Sequence, residues 1–89
     1  MARSYRYRFG GSAATLVLNM KRMADANHVD FSGDDKAGQV EGMGAKGSYE
    51  ISGDEVTVTI HRIPFIISWG TVEEQLDSTA RTWGATRMT

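Results

Sequence analysis

From Glu55 to His61 the chain alternates without interruption: Val56, Val58 and Ile60 fall on one parity, Thr57, Thr59 and His61 on the other. Period-two alternation of β-branched residues specifies a half-buried strand with one apolar and one wet face. A partner lies just upstream. Ser48-Tyr49-Glu50-Ile51 is a short strand-like run, and Gly53-Asp54 between the two supplies a residue that tolerates positive φ, so the two runs are expected to form a hairpin. Downstream, Ile63-Pro64-Phe65-Ile66-Ile67-Ser68-Trp69 is the most apolar stretch of the chain and leads into a helix start. Everything else must pack against this hairpin or cover its apolar exit.

The N-terminal half supplies the packing partners. Tyr5, Tyr7 and Phe9 share one face of a first strand, Ser4, Arg6 and Arg8 the other. Gly10-Gly11 ends it, and Ser12 is placed to cap a helix over Ala13–Ala26. Leu16, Met20, Met23 and Ala24 form its apolar stripe, widened by Ala13 and Val17. Asn27 suits a left-handed exit from that helix. A short strand is expected at Val29–Ser32 with Val29 and Phe31 inward, then a turn at Gly33–Lys36. One further strand, interrupted by glycines, is expected within Gln39–Ser48. The last helix starts near Ser68 or Thr71, the latter heading a capping box with Glu74. Its apolar stripe is Val72, Leu76, Ala80 and Trp83, Gly84 stops it, and Ala85–Thr89 is expected to be loose. The fold class is therefore α+β: an antiparallel β-sheet of about four strands with two α-helices on one face, in the order β-α-β-β-β-α.

Composition bounds what such a domain can do. Eighty-nine residues are expected to form a single domain, 1–89, that buries about 60–65% of its unfolded surface. A partner covering apolar surface would add to its stability. Ten basic and eleven acidic side chains leave a net charge of −1, so no global field draws the chain to nucleic acid or an anionic membrane. The absence of cysteine excludes disulfides and thiol chemistry and fits a reducing compartment. No secretory signal pattern opens the chain and no apolar run approaches the length of a transmembrane helix. The expected location is cytoplasmic, with no transmembrane segment.

The run Gly42-Met43-Gly44-Ala45-Lys46-Gly47-Ser48-Tyr49-Glu50-Ile51-Ser52-Gly53-Asp54-Glu55-Val56-Thr57-Val58 follows an aromatic first strand and an amphipathic helix. It precedes an apolar segment with a proline and a terminal helix. In this pattern and order, over roughly Tyr5 to Leu76, the chain resembles the small polyhydroxyalkanoate-system family, bacterial proteins encoded near polyhydroxyalkanoate granule genes. The resemblance implies a cytoplasmic accessory protein at granule surfaces. It brings no catalytic residues.

Several constellations invite chemistry, and each has an ordinary explanation. Gly42, Gly44 and Gly47 have dinucleotide-loop spacing, but they lead into an antiparallel hairpin rather than from a parallel strand into a helix. A bulged strand explains them better. His28 and His61 would need Asp30, Asp34 or Asp35 to converge on a metal, which nothing in the spacing demands; His61 belongs on the wet face. Ser12, Ser52 and Ser68 sit at caps and turns. Arg6 and Arg8 interleave with aromatics, yet alternation sends the two kinds of residue to opposite faces, where no nucleic-acid platform forms. No catalytic residue, cofactor site or metal site is assigned, and the chain is read as a non-enzyme.

Ile63–Trp69 remains. It is either a final core strand with a staple onto the second helix, or a segment that keeps part of its apolar surface exposed. A contiguous run has two apolar sides, and a chain of this size has one helix layer to cover them. Pro64 removes a ladder donor and favours a sheet edge. The interaction surface is accordingly assigned to Ile63, Phe65, Ile66, Ile67 and Trp69, covered by self-association or by an apolar surface such as a granule. The alternative is a small hydrophobic-ligand-binding protein or enzyme with a cavity between helices and sheet.

Overall fold

The computed structural model describes residues 2–88. Eight elements follow one another: β1 (Arg3–Arg8), α1 (Ala13–Ala26), β2 (Asp30–Gly33), β3 (Ala37–Gly42), β4 (Ala45–Ser52), β5 (Glu55–Arg62), α2 (Trp69–Thr82) and β6 (Thr86–Arg87). All six strands join one antiparallel sheet in the order β2-β3-β4-β5-β1-β6. The α+β class and the two helices are as expected. The sheet has six strands where about four were expected, and the chain order is β-α-β-β-β-β-α-β.

The hairpin that dominates the sequence is present. β4 and β5 pair from Ser52↔Glu55 to Gly47↔Ile60, closed by Gly53-Asp54 with Gly53 at φ 61°. A β-bulge follows, because Lys46 pairs with Arg62 and one step along β4 spans two along β5. Beyond it the glycine-rich stretch departs from the expected single strand. Met43 (φ 54°) and Gly44 (φ 82°) form a two-residue turn between Gly42 and Ala45, so the region is a second hairpin, β3–β4. Positive φ at both central residues matches the right-handed twist of the flanking strands.

One face of the sheet carries the core. Tyr5 and Tyr7 of β1 stand opposite Val58 and Val56 of β5. Tyr5, Tyr7 and Val56 join Phe9, Tyr49, Leu16 of α1, Ala80 of α2 and Ala85 in one buried cluster, with Val58 packed against it. Both helices therefore cover this face, and the other side of the sheet is wet. On that outer side Ser4 Oγ meets Thr59 Oγ1 at 2.9 Å, Ser48 Oγ meets His61 Nε2 at 2.9 Å, and Arg6 pairs with Glu55. An antiparallel sheet with one apolar and one polar face needs no second layer.

The element ends differ in detail from expectation. Ser12 caps α1 by accepting from the Thr15 amide at 3.1 Å. Ser68, not Thr71, caps α2 and accepts from the Thr71 amide at 3.2 Å. The left-handed exit residue of α1 is His28 (φ 58°) rather than Asn27. Met23 lies on the exposed side of α1, and Val29 precedes β2 instead of starting it. The C-terminal residues are not loose as far as they are described: Ala85 is buried, Thr86 and Arg87 pair with β1, and the Met88 amide donates to the Arg6 carbonyl at 2.7 Å. Thr89 lies outside the described residues.

Candidate functional site

The segment between β5 and α2 is neither a core strand nor an edge strand. β5 has neighbours on both sides, β4 and β1, and it ends at Arg62. Pro64 lies beyond that end, where no ladder donor is required, so its missing N–H places nothing at a sheet edge. The Ile67 amide instead donates to the Pro64 carbonyl at 3.0 Å. That bond makes Pro64–Ile67 a β-turn with Phe65 and Ile66 as its two central residues. Ser68 then caps α2, fixing where the turn must stop.

This geometry divides the five residues assigned to the surface. Phe65 and Ile66, at the turn tip, retain 98% and 79% of their accessible surface. Ile67 is 38% exposed, and Ile63 and Trp69 are half-buried. Trp69 opens α2 with the Arg3 guanidinium over its ring, 4.7 Å from the centroid. Arg3 also reaches Glu73 Oε2 at 3.3 Å. The same carboxylate oxygen accepts from the Tyr5 hydroxyl at 2.8 Å. The N-terminal part of α2 is thus tied to β1, while among the described residues the loop before it makes no such side-chain bond to the sheet.

A second loop stands beside the first. Built on Gly44, a Cβ would lie 3.3 Å from Pro64 Cγ, so the β3–β4 turn abuts the Pro64 turn. Its other central residue, Met43, is 76% exposed. Sequence reasoning did not single out Met43; the signal was a methionine and a glycine between two strand-capable runs, at a place where asparagine or glycine is usual. Neither loop carries a charge: Ile63–Ser68 and Gly42–Ala45 contain no ionisable side chain. The nearest cations along the chain are Lys46 and Arg62, partners across the bulged rung. Arg62 is held by Glu41 at 3.5 Å.

Among the described residues no cluster of three or more His, Asp or Glu side chains is placed to hold a metal. Two open depressions, of about 470 Å³ and 310 Å³, lie on the outer face of the sheet. The first is lined by Arg6, Lys36, Glu50 and Glu55, the second by Gln39, Lys46, Ser48 and His61. Neither lies between helices and sheet. Tyr7 donates to Asp77 Oδ1 at 2.8 Å, and burial, reinforced by that carboxylate, pushes its phenol well above the usual tyrosine range. Arg6 and Arg8 point away from the buried aromatics and pair with Glu55 and Asp54. No helix among the described residues is long and apolar enough to cross a membrane. No protein-family profile matches the chain, and no curated protein matches it.

Proposed function

We propose that this chain is a non-enzymatic cytoplasmic accessory protein that docks on an apolar surface through the Ile63–Trp69 segment. The carrying observation is the turn Pro64–Ile67, which holds Phe65 and Ile66 out of the protein at 98% and 79% exposure. Covering a Phe or Ile side chain is worth about 1.5–3 kcal/mol each. For a domain whose total stability is of the order of 5–15 kcal/mol, that is a sizeable gain, though area alone does not set affinity. The resemblance to the polyhydroxyalkanoate-system family offers a polyester granule as the surface. A second reading, self-association through the same segment, starts from the same exposed side chains and is separated from the first by the test below.

The test is the double substitution Phe65→Ser and Ile66→Lys. Both side chains lie outside the core, so the melting temperature should stay within a few degrees of the unsubstituted protein. Adsorption to polyhydroxyalkanoate particles should be lost; where the surface serves self-association, the sedimentation mass should fall instead. A protein that is monomeric at all practical concentrations and ignores apolar particles defeats the proposal. So does a double variant that unfolds, because that outcome would make the segment part of the core.

A further inference from the structure

Met43 combines three features that rarely coincide. It is large and apolar, it is 76% exposed, and its backbone sits at φ 54°, where residues with a side chain are disfavoured. Turn chemistry asks for asparagine, aspartate or glycine at this position. A residue that disagrees with both solvent and backbone points to a use for its side chain. Its neighbour Gly44 touches the Pro64 turn, so Met43 stands at the same end of the molecule as Phe65 and Ile66.

We infer that the β3–β4 and β5–α2 loops form one apolar tip, Met43 with Phe65 and Ile66, that inserts into the surface of a phospholipid layer. The inference rests on the docking role proposed above and names its partner. Area argues against a second copy of the chain. A large aromatic side chain presents on the order of 150–250 Å², and even at its upper figure the three exposed side chains with part of Ile67 offer no more than roughly 700 Å². A stable protein–protein interface takes about 800 Å² from each partner. Shape argues the same way. Phe65, at 98% exposure, stands clear of its own protein, and a protruding side chain is best covered by a fluid medium that closes around it. The tip is also uncharged, which suits the apolar side of the headgroup boundary. Behind it, Trp69 under the Arg3 guanidinium is an aromatic ring with a cationic cap, the kind of residue that sits at headgroup level. With a net charge of −1, insertion rather than attraction to anionic lipid must supply the binding.

The experiment is flotation with phosphatidylcholine vesicles, run beside adsorption to polyester particles, on the unsubstituted protein and on Met43→Asn. Asparagine accepts positive φ, so M43N should melt at a higher temperature than the parent. It should nonetheless partition into vesicles roughly tenfold less. Added salt should leave the parent's partition unchanged. If M43N floats as well as the parent, the second loop is no part of the site. If the parent adsorbs to polyester but ignores vesicles, the lipid inference fails while the docking role stands. Binding to neither overturns both.

Discussion

α1 and α2 leave their last turns through the same pair of hydrogen bonds, with different residues at the left-handed position. After α1 the His28 amide donates to Asp25 O at 3.3 Å and the Val29 amide to Ala24 O at 2.9 Å. After α2 the Gly84 amide donates to Arg81 O at 3.1 Å and the Ala85 amide to Ala80 O at 2.8 Å. Glycine takes φ 76° at Gly84 without steric cost, whereas His28 takes φ 58° with a Cβ. His28→Gly should therefore stabilise the fold by about 0.5–1 kcal/mol, seen as a rise of several degrees in melting temperature. A lower melting temperature would mean that the imidazole makes contacts worth more than the strain. The sequence pointed to Asn27 for this role because asparagine is the usual substitute for glycine there. In the folded chain Asn27 Nδ2 donates to the Met23 carbonyl at 2.8 Å instead, and the turn falls one residue later.

At the scale of elements, α2 is held to the sheet by phenols. Tyr5 and Tyr7 of β1 donate to Glu73 and Asp77, and Arg87 of β6 lies 3.6 Å from Asp77. Burial raises both phenols above their ordinary value of 10.0, and the carboxylates add to the rise. Below pH 10 the phenols are protonated in folded and unfolded chains alike. Above it the unfolded chain loses protons that the folded chain retains, so stability must fall as the pH rises past about 10. Tyr7→Phe should make that alkaline decline shallower. At neutral pH the same substitution should cost about 1–3 kcal/mol, since Asp77 loses a donor; denaturant titrations at neutral and alkaline pH separate the two effects. A decline equally steep in Y7F would remove Tyr7 from the account. Where pattern and burial coincide, as in β1, β5 and the helices, the elements were legible from residues alone. β3 was obscured because Gly38 lies under the Tyr49 ring, where a Cβ would come within 2.5 Å; a strand built to accept a ring from its neighbour shows little alternation of its own. β6 is two residues long and exists only through pairing with a distant strand. The Ile63–Trp69 run stood out as apolar, but the turn bond from Ile67 to Pro64, which decides its exposure, leaves no periodic trace.

For the whole molecule, the decisive feature is the place of β1. The first strand of the chain lies between β5 and β6, so both of its neighbours are made late. During synthesis β2, β3, β4 and β5 can zip together in the order they emerge, each onto the last. β1 must wait, with Tyr5, Tyr7 and Phe9 uncovered, until the ribosome has released β5, and its other edge waits for Thr86 and Arg87. Nascent chains stalled just after Ile51 should therefore remain open to protease at Arg3–Arg8, and protection should appear only once Arg62 has left the exit tunnel. Protection of that strand in the shorter chain would contradict the pairing. The N-terminal strand thus acts as a keystone: made first, it is set only after the strands that come to flank it on one side have been laid, and its aromatic edge stays uncovered until then.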